Sequence, residues 1–340
     1  MKNLAERKLN LNIQLFAAGD VVNSTTSEQL SAEMKTFYDK TLITLASPYL
    51  VHDQFGQKRD IPKNGGKQIE FRKFSSLPKA LTPLTEGVTP TGNKLNVSAM
   101  TATVEQYGDY IEQTDMLELT AVDNTIVEAT KQLAAQAGLT MDTIVRNEIV
   151  GGTNVLYCPK VVDGVETPVT LRSQIDGTCL LRVKDVFKAA AELKAMNAPK
   201  IDGYYVGIIH PYVAYDLMQE AGNQWMEVQK YATPENMLKG EIGCLGGVRF
   251  VESTEAKIWK DSGSPAVFAT LIIGADAYGV SSIGGGGIEH IVKQKGYGND
   301  PLNQRSSIGW KGLKTAKRLV EEYLVRIESG SAFSGTATAN

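Results

Sequence analysis

The sequence predicts an α+β fold on three observations. A strand-loop-strand ribbon of period-two alternation runs between Lys67 and Tyr107, a long amphipathic helix follows it directly, and beyond that short apolar runs alternate with helical segments. The chain of 340 residues is 42% hydrophobic and 21% charged, which suits one large core or two ordinary ones and excludes a disordered chain.

The start, Met1 to Ala18, carries Lys2, Arg7 and Lys8 ahead of the run Leu11 to Ala18. Asn12 and Gln14 break that run, so a short amphipathic arm fits better than a signal peptide. Gly19 to Ser27, rich in Asn, Ser and Thr, reads as a mobile connector. Ser31 to Leu50 has Met34, Phe37, Tyr38, Thr41, Leu42 and Leu45 at helical spacing, closed by Pro48, and predicts a first helix.

In the ribbon, Ile69, Phe71 and Lys73 alternate with Gln68, Glu70 and Arg72; Val97 to Tyr107 returns through Ser98, Met100, Ala102 and Val104 against Thr101 and Thr103. The tip, Ser75 to Asn96, contains Pro78, Pro83, Pro90, Gly87 and Gly92, which remove donors and loosen the backbone. A lone two-stranded ribbon is marginal in water, and loops beyond about 12 to 15 residues in a compact domain usually serve a function. The apolar tip residues Leu77, Leu81, Leu84 and Val88 are therefore expected to find cover on another molecule; the alternative is a hairpin folded back on its own domain. Glycines at the base, Gly65-Gly66 and Gly108, are expected to hinge it.

The helix is expected from Asn124 to Val150, with Ile126, Ala129, Leu133, Ala137, Met141 and Ile144 on one face, Asp123 or Asn124 as cap and Gly151-Gly152 as stop. Gly138 inside it suggests a bend or a close contact. Charge divides between these neighbours. Gly56 to Gly108 holds eight basic and four acidic residues, whereas Asp109 to Glu148 holds eight acidic and two basic ones. One reading lays the basic loop of one subunit across the acidic helix of the next, opposite potentials fixing register. The other leaves both sets as solvated faces.

From about Thr153 to Asn299 the chain reads as mixed helix and strand. Tyr204 to Ile209, Val248 to Val251 and Val267 to Ile273 suit buried strands; Lys184 to Met196 and Val213 to Met218 suit helices. Thr315 to Glu328 suggests strands returning to the long helix, ahead of a polar tail.

A net charge of -3 argues against binding nucleic acid mainly by neutralising phosphates. Cys158, Cys179 and Cys244 are scattered and lack C-x-x-C spacing, which disfavours a disulfide framework or zinc site. No run of 18 apolar residues suggests a membrane span. Ser282 to Gly287 lacks Walker lysine spacing and reads as a flexible turn. His52, His210 and His290 lack metal-ligand spacing, and His210 before Pro211 reads as a capping or packing residue. No G-x-S-x-G elbow is present, and Asp276 and Glu289 lack evident partners for catalysis.

Several words of the sequence carry a resemblance: Gln68-Ile69-Glu70-Phe71, Pro83-Leu84-Thr85-Glu86-Gly87-Val88-Thr89-Pro90, Gly274-Ala275-Asp276-Ala277-Tyr278-Gly279, Asp300-Pro301-Leu302-Asn303-Gln304-Arg305, Gly309-Trp310-Lys311, Val325-Arg326-Ile327-Glu328, and the opening Gln14-Leu15-Phe16-Ala17. In these and in their order the chain resembles the major capsid proteins of tailed bacteriophages, specifically the N4-like coat protein family. The resemblance implies a Hong Kong-type coat fold: N-terminal arm at 1–30, first helix and connector at 31–55, extended loop at 56–108, peripheral domain at 109–150 and 300–328, axial domain at 151–299 and a flexible tail at 329–340. It also implies a structural protein without catalytic, cofactor or metal residues, which self-assembles into hexamers and pentamers of an icosahedral shell around double-stranded DNA, without sequence recognition. Residues expected between subunits are Arg72, Lys73, Lys79, Leu81, Leu84 and Glu86 on the loop, with Glu118, Asp123 and Glu128 on the helix side. Implied partners are other copies of the chain, a portal protein and separate scaffolding or decoration proteins; the implied location is the virion, after synthesis in the bacterial host cytoplasm. Some relatives carry a long N-terminal scaffolding segment, whereas only about 30 residues precede the first helix here. The alternatives are an α/β enzyme with an unrecognised site and a structural protein that forms filaments or sheets.

Overall fold

The structure is a computed structural model that describes residues 45–46, 50–60, 67–74, 77–84, 86–89, 91–120, 125–222, 225–227, 240–281 and 288–340. The expected arm, the connector, the first helix apart from the helical pair Leu45 and Ala46 and the non-helical Leu50, Gly65-Gly66, Asp123 with Asn124, and the Ser282 to Gly287 turn lie outside these residues.

β2 (Gln68–Phe74) and β3 (Val97–Thr103) pair antiparallel from Gln68 opposite Thr103 to Phe74 opposite Val97. The return strand stops at Thr103, short of the expected Tyr107. Val104 is buried and its N–H donates to the Lys67 carbonyl at 2.8 Å, closing the ribbon; β4 (Glu105–Thr114) then departs to a different sheet. Alternation of period two continues across such a joint, so the pattern cannot register the change of partner.

After a short helix α1 (Asp115–Thr120), α2 (Thr125–Val150) runs for 26 residues, about 39 Å at the helical rise. Its buried stripe is Ala129, Leu133, Ala134, Ala137, Met141, Val145 and Ile149, while Ile126 is exposed and Ile144 only half-buried. Repeated steps of four residues turn the buried face by about 40° each, at 3.6 residues per turn. The two ends of α2 therefore face different partners.

The first end covers a three-stranded antiparallel sheet in the order β15 (Ile288–Lys293), β16 (Arg305–Lys314), β4, with Ile288, Ile308 and Trp310 packed under α2. Gly108 is an interior residue of β4, opposite Lys311, and a Cβ there would lie 2.5 Å from the Trp310 carbonyl oxygen. Close strand approach, rather than the expected hinge, demands this glycine.

The far end of α2 packs on an eight-stranded mixed sheet. Its order is β5 (Val155–Tyr157), β18 (Leu324–Ser329), β13 (Val267–Ile273), β8 (Tyr205–Ile209), β11 (Val248–Glu252), β10 (Glu241–Leu245), β9 (Met226–Glu227), with β12 (Ile258–Trp259) also on β13. β8 and β13 are buried at every position, because both faces are covered. Tyr205, Ile209, Phe268 and Ile272 point to α3 (Val183–Ala195) and α4 (Pro211–Ala221), whereas Val206, Ile208, Leu271 and Ile273 point to Val145 and Ile149 of α2. β6 (Lys160–Val162) and β7 (Val165–Thr167) form a small hairpin about Asp163 and Gly164, both at positive φ.

A third sheet joins β1 (Gln57–Arg59), β14 (Tyr278–Ser281) and β17 (Ala316–Arg318). Of the closing strands, β17 lies in this small sheet, whereas β18 enters the eight-stranded sheet between β5 and β13. The tail 329–340, expected to be flexible, is held on the body instead. Phe333 stacks on Tyr212 at 4.6 Å between ring centroids, the Ala266 N–H donates to the Gly335 carbonyl, and the Asn340 side chain accepts from the Ile258 N–H at 2.9 Å. Polar, small-residue composition misses this because the contacts join the tail to residues far back in the chain, which local composition does not register.

Candidate assembly surface

The ribbon has one seated half and one free half. At its base Ile69, Phe71, Ala102 and Val104 are buried with Leu319 and Val320, and the Phe71 ring occupies the space where Gly279 has no side chain. A Cβ at Gly279 would lie 2.2 Å from that ring. The ribbon thus shares a small core with its own chain at the base, contrary to an arm wholly without one. Beyond that seat the side chains point to solvent: Leu81 is 82% and Leu84 77% exposed, and Leu77, Val88, Leu95 and Val97 are exposed too. Large apolar side chains left in water are unfavourable by about 25 cal/mol per Å² that could be covered, and a run of them on one loop is a candidate interaction site.

The charged residues expected between subunits occupy two separate regions. On the ribbon, Arg72 pairs with Glu70 at 2.8 Å, Lys73 is half-buried, and Lys79 and Glu86 are exposed. On the other side Glu118 of α1 pairs with Lys295 at 2.8 Å, and Glu128 pairs with Lys131 one turn away at 2.6 Å; Asp123 lies outside the described residues. These pairs are all solvent-exposed, so each contributes little to stability and its members can exchange partners at small cost. The outer side of α2 offers a shallow groove lined by Gln132, Ala135, Gln136, Leu139, Thr140 and Thr143. Around α1, Met116, Leu117 and Leu119 are exposed as well.

His210 caps α4, its Nδ1 accepting the Tyr212 N–H at 3.2 Å, and burial lowers its pKa from 6.5 to about 4. Asp276 sits in a turn at φ 57°, and Glu289 pairs with Lys311 at 2.8 Å. The three cysteines are buried and free, with burial as the main cause pushing each thiol pKa up. Among the described residues no cluster of three metal-ligating side chains occurs, and no helix is long and apolar enough to cross a membrane.

Sequence reasoning missed the ionic anchors. Glu328, buried in β18, receives Arg172 through two bonds of 2.7 Å and Arg326 at 2.9 Å, while the Arg172 guanidinium stacks 3.7 Å from the Trp259 ring centre. Arg326 also donates to the Val150 and Gly152 carbonyls and so caps the end of α2. His52 holds Asp142 of α2 through both its N–H (2.7 Å) and its ring Nδ1 (2.6 Å), and Lys314 meets Asp53 in the same buried region. Apart from Arg326 and Glu328, neighbours on β18, the hydrogen-bonded partners lie between 90 and 261 residues apart, beyond the reach of any local pattern.

A long helix bridging two sheets, with an extended ribbon beside them, gives the chain a fold similar to those of solved phage capsids. The chain resembles the capsid of Ralstonia phage GP4 (TM-score 0.65, 14% identity), that of the cyanophage P-SCSP1u (0.59, 15%) and the head of Helicobacter pylori bacteriophage KHP40 (0.57, 11%). Each comparison covers 83% of this chain and 88% of the other. Residues 180–300, from before α3 to after β15, match the family described as phage capsid protein. No curated protein sequence matches it.

Proposed function

We propose that the chain is the major capsid protein of a tailed bacteriophage, many copies of which associate as hexamers and pentamers into an icosahedral shell around double-stranded DNA. The carrying observation is the apolar ribbon tip, which is exposed on a chain whose fold is that of capsid subunits. The tip of one copy lies across the α1–α2 side of the next, Leu81 and Leu84 supplying the apolar contact and Arg72, Lys73 and Lys79 meeting Glu118, Asp123 and Glu128, with Glu86 at the same interface clear of those carboxylates. The protein is structural, and its net charge of -3 suits containment of DNA rather than recognition of it. The N4-like membership rests on the sequence words from Gln68 to Glu328. The division into an extended loop at 56–108, a peripheral domain at 109–150 and 300–328 and an axial domain at 151–299 follows from that likeness, as do a portal, scaffolding and decoration partners, assembly in the host cytoplasm and a final place in the virion.

Electron microscopy of the expressed chain, alone and with its phage's other head proteins, tests the reading. Closed shells or rings of five and six subunits are expected. Open filaments or sheets would transfer it to the other class of structural protein, and a stable dimer or tetramer in every preparation would refute it.

A further inference from the structure

Lys314 is the most deeply buried cation of the described chain, with a side chain wholly inaccessible to water. Its Nζ meets the Asp53 carboxylate, itself 8% exposed, and donates to the Ser281 carbonyl at 3.0 Å. Around the pair stand Tyr278, whose hydroxyl donates to the His52 carbonyl, and the fully buried His52–Asp142 pair. Two ions held together in such a place lose several kcal/mol of hydration each, a loss that their mutual attraction offsets only in part. Burial is the largest influence on Lys314 and lowers its pKa, against the opposing pull of Asp53 and Asp142, which favours the neutral amine. A lysine amine pressed against a carboxyl group in a site closed to water is a pair of reactants held at close quarters, an arrangement that converts a slow bimolecular condensation into an intramolecular one.

We propose that Lys314 and Asp53 become joined within one chain by an amide bond. One proton transfer turns the ion pair into amine and acid. The Nζ lone pair attacks Cγ of Asp53, the C–N bond forms, one Cγ–O bond breaks, and the departing oxygen leaves as water with the acid proton and one proton from nitrogen. No electrons are gained or lost, and no co-reactant is needed. The product carries no charge to desolvate and closes a loop spanning 261 residues, tying the segment 50–60 that follows the N-terminal region to β16 beside the root of the ribbon. The exposed pair Lys160–Asp176 has the same functional groups at 2.5 Å but keeps its ions hydrated, and it remains an ordinary ion pair.

The test is the intact mass of the denatured full-length chain, followed by peptide mapping. The wild type is expected one water lighter than its sequence, with a branched peptide that contains both Asp53 and Lys314. Lys314→Arg, which keeps the charge without a nucleophile able to form the bond, is expected at its full mass. Full mass in the wild type, with the two peptides recovered separately, overturns the proposal; so does loss of water in Lys314→Arg as well. The measurement is independent of assembly: shells of full-mass chains would sink only the amide, and a cross-linked chain that never assembles would sink only the capsid reading.

Discussion

Single side chains decide how rigidly the ribbon is set. Gly279→Ala would drive a methyl group into the Phe71 ring, which is buried and has no free space to retreat into, and overpacking of this kind costs about 1 to 3 kcal/mol. Urea denaturation is expected to show that loss, and Phe71→Leu in the same chain to recover part of it, since residues in contact do not act additively. Glu328 is a second such point. With Arg172 and Arg326 left facing an empty site, Glu328→Ala is expected to cost about 3 to 5 kcal/mol, read as a lowered denaturation midpoint. His210 sets a pH dependence. Its pKa falls from 6.5 to about 4 on folding, so its contribution is complete above 6.5 and is lost as pH drops toward 4, where the unfolded chain binds the extra proton. The slope is at most about 1.4 kcal/mol per pH unit. His210→Asn keeps an acceptor for the Tyr212 N–H and is expected to flatten stability between those pH values.

Among the elements, the ribbon is where folding and the proposed assembly part. Its base is part of the chain's own core, while the described apolar residues of its tip are exposed on a single copy. Leu81→Ser with Leu84→Ser is therefore expected to leave the denaturation midpoint within about 0.5 kcal/mol of wild type, as for surface positions generally, and to abolish shells in sedimentation and microscopy. A variant that assembles normally would remove the tip from the interface. Lys79→Glu is expected to weaken assembly most at low salt, where exposed charges act furthest, and to differ little from wild type at high salt. Much of this element was legible in the sequence, because alternation and prolines are local properties. Its joint at Val104 was not, since β3 and β4 continue one alternating pattern into two sheets. The same holds for α2, whose existence and length followed from spacing, whereas the rotation of its buried face follows from having two different sheets to cover.

At the scale of the whole molecule, stability is expected to depend on association. A subunit whose apolar tip is covered only by a neighbour gains stability by mass action, so the thermal midpoint of wild type should rise with protein concentration through the assembly range, while that of the Leu81→Ser, Leu84→Ser variant stays constant. Calorimetry over a hundredfold range of concentration checks it. By itself the sequence determined the composition of the fold: a ribbon with an uncovered tip, a long helix, and strands so uniformly apolar that both faces must be buried, all of them consequences of periods two and 3.6 acting over neighbouring residues. Tertiary structure alone decided which strands meet, how the tail is fastened, and that Asp53 lies against Lys314, Asp142 against His52 and Glu328 against Arg172. Those choices depend on contacts between residues far apart in the chain, where local spacing holds no information and only the packing of the finished molecule can pair one charge with another.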